Sequence, residues 1–295
     1  MRMVTACCLA AAVQLPQPAP PPGGSPKVPP APQGGPYFHQ VMGATSPDGL
    51  SWTHDGRVLL EHASVPAAIV TPDGRVRVYY VDATQRPETV NCAEATAAGT
   101  LRVLGCTIAG RGGAKAVDPS IVLLPDGRYR LYYYASAQNV NASGLHRIHA
   151  AISTDGVRFV DEGEVYAEDG LVDPDVFWSG REWLMFVFSL TAPGTIVAKS
   201  ADGLRFSYLG MHPLQRWGTT APVRLDDGRL RLYAFNQGRQ DTIRSFVSNN
   251  GLDWAMEEGL RLTAPEGYDI TDPFVIRTRD GVWRMVYKIS ARPAR

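Results

Sequence analysis

Three aspartates of this chain stand in one recurring context. Asp118 lies in VDPSIV, Asp173 in VDPDVF and Asp272 in TDPFVI. Each Asp-Pro pair opens a short apolar run, which reads as the entrance of a strand. Two sister runs, SVPAAIV and TTAPVRL, carry Val65 and Thr220 at the matching place, and neither can ionise. Carboxylates gathered around one axis repel one another and lose hydration. The arrangement is sustained where the groups bind a cation, hold a sugar or interact with each other. The blander alternative is that each Asp-Pro caps its own strand entry by bonding local amides.

The loops beside these entrances are rich in groups that hold carbohydrate. His62, Arg111 and Lys115 precede inner strands, and Asn139, Asn141 and His146 fall in the longest loop. Trp217, Asn236, Gln237, Arg239, Tyr268 and Asp269 complete the set. Aromatic faces beside amides and carboxylates suit sugar rings, which have apolar faces and hydroxyl rims. The six histidines are scattered without ligand spacing, so no zinc or iron site is expected. No serine nucleophile elbow and no phosphate-cradling loop occurs. No cofactor is called for, and the three carboxylates leave room for a channel-bound cation such as calcium.

The elements that position these groups recur along the chain, and the recurrence decides the fold. One piece is a tight turn followed by a strand: TPDGRVRVYYV, LPDGRYRLYYY, WSGREWLMFVF, LDDGRLRLYAF and TRDGVWRMVYK. Successive copies lie about 50 residues apart, a spacing typical of propeller blades. A second hairpin alternates with it: SPDGLSW, STDGVRF, SADGLRF and SNNGLDW, with a degenerate copy, TAAGTL, at 96–101. Each unit then holds four antiparallel strands, A to D from the axis outward, and five units make an all-β, five-bladed β-propeller. The phase is offset, because the chain opens on a C–D hairpin (37–60) and ends on an A–B pair. Residues 37–60 should therefore pair with 282–290 and close the last blade, leaving no edge exposed. The A-strand entrances all face the channel mouth.

Residues 1–36 stand outside this repeat. An apolar start gives way to a Pro- and Gly-rich stretch, as in an export signal followed by an extended linker. Val4-Thr5-Ala6-Cys7 also resembles a bacterial lipobox, so the protein is expected to be secreted or envelope-anchored, with Cys7 as the acylation point. The propeller domain is 37–295. Net charge is zero and the charges are mixed, which gives no footprint for nucleic acid. No apolar run is long enough to span a bilayer, and a monomer is expected. Within the repeat only Cys92 and Cys106 remain, flanking the degenerate turn on strands C and D of blade one, within disulfide reach across a hairpin.

The A-strand motifs VDPSIV, VDPDVF and TDPFVI on five blades resemble the glycoside hydrolases of the arabinanase, β-xylosidase and invertase group, family 43 in particular. The Ser-x-Asp-Gly hairpins resemble the Asp-boxes of sialidase-type propellers, whose role is structural. The first resemblance implies carboxylates on inner strands of neighbouring blades flanking a glycosidic bond, with Asp118 and Asp173 central and Asp272 across the channel. It also implies a base in the first inner strand, which here reads SVPAAIV, and an acidic Glu where this chain has TTAPVR. The acid would then come from a loop, with Glu168, Glu266 or Asp269 as candidates. Two readings stay open: a glycosidase acting on a furanoside or pentose-containing glycan, and a non-catalytic propeller that binds carbohydrate or protein at the envelope.

Overall fold

The computed structural model describes residues 35–136, 144–191, 194–211 and 216–292. After a single 3-10 turn at Pro36–Phe38 the chain forms β1 (Gln40–Ser46) and β2 (Thr53–Glu61). Blade one follows as β3 (Ala63–Val70), β4 (Val76–Asp82), β5 (Thr89–Ala95) and β6 (Leu101–Val103). A short connector strand, β7 (Thr107–Ala109), leads to blade two: β8 (Lys115–Leu123), β9 (Tyr129–Ser136), β10 (Leu145–Ser153) and β11 (Arg158–Asp169). Blade three is β12 (Leu171–Trp178), β13 (Trp183–Ser189), β14 (Gly194–Ser200) and β15 (Ser207–Met211). Blade four is β16 (Trp217–Arg224), β17 (Leu230–Asn236) and β18 (Thr242–Ser248), edged by the short β19 (Ala255–Met256) and β20 (Leu262–Thr263). The last pair is β21 (Tyr268–Arg277) and β22 (Trp283–Ala291).

The final blade has the strand order β2-β1-β22-β21. Its seam runs antiparallel from Gln40 opposite Ile289 to Ser46 opposite Trp283. The opening hairpin thus completes the blade that the end of the chain leaves half built. The inner strands close the circle: β3 packs on β8, β8 on β12, β12 on β16, β16 on β21, and β21 on β3.

Blades have two faces, and both are covered by neighbours. The second strand of blades one to four is accordingly a nearly continuous buried run rather than an alternating one: Tyr129 to Tyr134 of β9 are all buried. Apolar layers fill the joints, as where Tyr134, Ile148 and Val165 of blade two meet Val176, Met185 and Ile196 of blade three. Burying such side chains contributes about 1.5–3 kcal/mol each.

The Ser-x-Asp-Gly hairpins are built alike. Ser46 Oγ accepts from the Gly49 amide at 2.8 Å, and Asp48 Oδ1 accepts from Leu50 and Ser51 amides at 2.7 Å. Those amides, Ser51's foremost, hold the Asp48 carboxyl down at about 2. Ser153 with Asp155, Ser200 with Asp202 and Ser248 with Asn250 repeat the pattern.

Three of these turns plug into an Arg-x-Tyr of the preceding blade. Tyr79, Tyr132 and Tyr233 donate to the carbonyls of Gly156, Gly203 and Gly49 at 2.8, 2.8 and 2.7 Å. Arg77, Arg130 and Arg231 reach the carbonyls of Asp155, Asp202 and Asp48 at 2.7, 3.3 and 3.5 Å. Each arginine is also paired to a glutamate of its own blade: Glu94, Glu162 and Glu257.

Cys92 and Cys106 form a disulfide with a Cα separation of 5.4 Å. Sequence reasoning sets Cys106 on the outer strand of blade one; in fact β6 ends at Val103 and Cys106 lies just past it. The segment stays beside β5, since the Leu104 amide donates to Cys92 O and the Cys106 amide to Asn91 Oδ1. Beyond it, β7 pairs in parallel with the start of β11, bonding the connector to blade two.

The disulfide spans a sequence separation of 14. Replacing both cysteines (Cys92→Ser with Cys106→Ser) should lower the unfolding free energy by about 3 kcal/mol, the chain-entropy value for a loop of this size. Urea denaturation followed by circular dichroism measures it; an unchanged midpoint would refute that stabilising role.

Candidate functional site

The inner strands do not run straight to the mouth. Each skips in its pairing with the second strand: between Ser64 and Ala67, Val117 and Ser120, Val172 and Pro174, Gly218 and Thr220, and Thr271 and Phe274. The residues expelled at the skips are Val65, Asp118, Asp173, Thr219 and Asp272. Four of them adopt left-handed backbone, with φ of 42, 55, 51 and 49° for Val65, Asp118, Asp173 and Asp272. For a side chain with a Cβ this conformation costs on the order of 1–3 kcal/mol. The proline that follows each of these four has no N–H, so the bulge removes no ladder donor there.

The fourth position corrects the alignment made from sequence. Thr219, not Thr220, is the bulged residue, and Thr220 is back in the ladder opposite Ala234. The proline of TTAPVR misleads, because it lies downstream of the bulge rather than directly after it.

Asp272 is buried and fully engaged. Lys288 Nζ lies 2.5 Å from Oδ2. Thr219 Oγ1 donates to Oδ1 at 2.8 Å, and Thr271 Oγ1 donates to Oδ2 at 3.0 Å. Burial works to raise its pKa, but the Lys288 ammonium and these hydroxyls outweigh it, and the carboxyl titrates below its ordinary range. Lys288 gains correspondingly: burial pulls it down, and Asp272 more than restores it.

Asp118 and Asp173 shift the other way. Both are half-buried, their carboxyls ringed by the inner strands. Burial and the charge of Asp272 push Asp118 up to about 6, against a backbone hydrogen bond from Asp173 and the pull of Lys288 and Lys115. Asp173 is raised well above its ordinary value by burial, then by Asp118 and Asp272. Like charges this close bind and release protons as a unit. The mouth therefore holds one locked ion pair and, beside it, two carboxyls whose pKa values are both raised.

The surround is polar. His39 shares a 2.9 Å hydrogen bond with Ser64 Oγ, and burial followed by Lys288 lowers its pKa to about 4, so it is neutral at pH 7. Lys115 pairs with Glu88 at 2.9 Å. Asp175, on β12 just past the bulge, is 4% exposed. Its Oδ1 accepts from Ser120 Oγ at 3.3 Å and its Oδ2 has no partner, so burial raises its pKa well above the usual value. Among the described residues no cluster of His, Cys, Asp or Glu is arranged as a metal site.

The remaining candidates are more scattered. His62 is stacked on Tyr37 with ring centroids 4.0 Å apart and bonds the Tyr37 carbonyl at 2.6 Å. Arg111 is tied to the Ala114 carbonyl of its own loop. His146 lies on β10 rather than in the loop, buried against Tyr134 and bonded to Leu171 O at 2.7 Å. Glu168, on the outermost strand of blade two, accepts from Tyr166 at 2.7 Å. Trp217 packs its ring edge-on against Phe246.

Asn236 caps its own turn through Gly238 and Arg239 amides, while Arg239 pairs with Asp241 at 3.1 Å. Gln237 turns its amide toward Gly218, where an added Cβ would meet Nε2. Asp269 is paired with Arg292 at 2.7 Å; Tyr268 beside it is half-buried and Glu266 is exposed. Asn139 and Asn141 lie outside the described residues.

Sequence reasoning missed Lys288, Thr219, His39 and Asp175. Lys288 had a signal. It ends the buried run of β22 where the matching strands of the sister blades carry Val81, Tyr134, Phe188 and Phe235. A lysine in that place demands a buried counter-charge.

No protein-family profile matches the chain, and no curated protein sequence matches it. Solved structures do. A family 117 glycoside hydrolase from the marine bacterium Zobellia galactanivorans superposes with a TM-score of 0.56 at 12% identity, over 86% of this chain and 91% of that one. The arabinanase of Bacillus subtilis gives 0.55 at 14%, over 78% and 95%. A protein of unknown function from Dyadobacter fermentans gives 0.59 at 15%, over 86% and 84%. At such identities the likeness establishes a shared fold, that of the propeller glycoside hydrolases.

Asp175 offers a measurement independent of any ligand. A carboxyl whose folded pKa is raised contributes its stability fully below the ordinary value of 3.8 and loses it as pH climbs toward the folded value. Asp175→Asn, which keeps a partner in Ser120, should therefore raise the thermal midpoint clearly near pH 8 and hardly at all near pH 4. An equal effect at both pH values would show that folding does not raise the Asp175 pKa.

Proposed function

We propose that this is an extracytoplasmic, glycoside hydrolase-like protein whose channel mouth accepts a furanoside or pentose-containing glycan. The observation that carries the reading is the division of the mouth carboxyls into two kinds. Asp272 is held ionised by Lys288, while Asp118 and Asp173 are pushed upward on adjacent blades. Groups whose environments drive their pKa values apart mark acid and base assignments. With one proton on the Asp118–Asp173 pair, one carboxyl can protonate a glycosidic oxygen while the other faces the anomeric carbon or its attacking water. Asp272 and Lys288 fix the charge beneath them, and His39 adds a neutral hydrogen-bonding edge. The shared fold with propeller glycoside hydrolases supports the same reading. The disulfide supports an oxidising compartment, where such bonds persist.

A second reading rests on the other two bulges. Val65 and Thr219 occupy places where the resemblance implies a base and an acid, and Asp272 is consumed by its ion pair. The same mouth would then bind a glycan without cleaving it.

Assay against aryl glycosides and plant and cell-wall glycans separates the two. If the protein is an enzyme, Asp118→Asn and Asp173→Asn should each lower kcat/KM by about 10²–10⁴, the usual worth of a general acid or base. Asp48→Asn, in a hairpin on the opposite face, should leave it alone. The kcat/KM profile should show an apparent pKa near the value of about 6 for the free protein. Activity surviving both mouth substitutions would move the chemistry elsewhere. Calorimetric glycan binding, lost in the same variants without turnover, would establish the binder.

A further inference from the structure

The five joints between blades are not equivalent. At three of them a Ser-x-Asp-Gly turn presents two backbone carbonyls to an arginine and a tyrosine. Each of those turns also brings an aromatic ring: Trp52 meets Tyr233 edge-on at 5.7 Å, and Phe159 and Phe206 meet Tyr79 and Tyr132 at 6.1 Å. A fourth turn, with Trp254 in the ring position, packs its Gly251 against Leu184 of blade three.

The fifth joint, between blade five and blade one, has no such plug. The hairpin that should fill it is the degenerate copy, with Ala98 at the Asp position and Arg102 at the aromatic position. It turns instead through a backbone bond from the Thr96 amide to Thr100 O at 2.8 Å. Yet it leans on Arg57 of β2, whose guanidinium bonds Gly99 O.

What remains is a cleft of about 740 Å³ between the two blades, on the face opposite the channel mouth. Arg284 stands on β22 where the other blades carry Arg77, Arg130 and Arg231. Those three are buried under their plugs, at 6, 7 and 6% exposure; Arg284 is exposed. It has no hydrogen bond among the described residues, and its near charges are Asp55 and Asp280. Val286 replaces the tyrosine, which removes a hydroxyl and leaves room. The lining holds Arg57, Arg279 and Arg284 against Asp55 and Asp280, a small excess of positive charge, while its fourth arginine, Arg75, is paired to Asp73 and Glu94. The rest of the wall is largely apolar, with Leu59, Val78, Ile276 and Leu101 among it.

The sister joints state what such a place accepts: one acceptor oxygen on the arginine, a second on the tyrosine, and a flat ring against the strands. Here the tyrosine is gone and the arginine fork is unfilled, so a carboxylate, which offers both its oxygens to one guanidinium, satisfies the place better than a single neutral carbonyl. We propose that the unplugged joint is a second ligand site, taking a small aromatic carboxylate with its oxygens on Arg284 and its ring on the apolar wall.

Indole-3-acetate is the probe, titrated by calorimetry and by saturation-transfer NMR, with indole-3-acetamide as its neutral counterpart. The acid should bind at least tenfold more tightly than the amide, and more weakly as salt is added. Arg284→Gln, a surface change that should leave the thermal midpoint in place, should weaken the acid at least tenfold and leave any channel-mouth activity unchanged. Equal binding of acid and amide, equal binding by the two proteins, or no binding of the acid at millimolar concentration would each overturn the proposal. The acid–amide comparison uses the unmodified protein, so it decides the matter even if the variant misfolds.

Discussion

A ring of blades is stable only if it closes, because every blade borrows half its burial from the next. The seam between β1 and β22 closes this one. Without it β22 would present an unpaired edge, and the joint between blades five and one would lose a wall. The seam joins residues from the two ends of the fold, so loop closure opposes it with the full length of the domain. The joints, the channel and the mouth depend on that contact.

At the mouth the governing constraint is the left-handed bulge. It takes one residue per blade out of the ladder, and the remaining backbone geometry is the same whether that residue is Val65 or Asp118. The fold thus offers five positions around one axis and the sequence decides which are charged. Three aspartates with one lysine leave the mouth net acidic, and the lysine sits where it neutralises Asp272 rather than its neighbours. The asymmetry between a locked carboxylate and two carboxyls with raised pKa values follows from where one cation was placed.

The repeat architecture was legible because turns are local. Asp-Gly pairs, the periodic apolar runs and the offset phase gave the blade number, the closing seam and the disulfide without knowledge of any long-range contact. The Asp118, Asp173 and Asp272 positions were legible through Asp-Pro. What sequence reading misjudged depends on register and depth. Thr219 was missed because its bulge lacks the proline that marks the others. His146 looked like a loop residue because a loop and a strand's first residues have the same polar composition. Asp175 follows a motif that drew the eye to Asp173, and nothing local says that its side chain is buried beside Ser120. The missing hairpin at 96–101 was visible as a degenerate copy, but the cleft it leaves was not, since the arginine it exposes lies almost at the other end of the chain.

The plugs themselves have a consequence for how such a molecule can change over time. Each contact reads main-chain carbonyls of a glycine turn, and main-chain atoms are common to every residue. Such a joint is therefore blind to most side chains of the turn, and the turn itself tolerates change: Asn250 serves where its sisters use aspartate, and the hairpin is still built, although its own joint packs on Leu184. Blades joined this way carry no address. Any unit with an arginine and a tyrosine on its second strand can precede any unit with the turn, so sequence can drift widely, or a blade can be copied from its neighbour, while the ring persists.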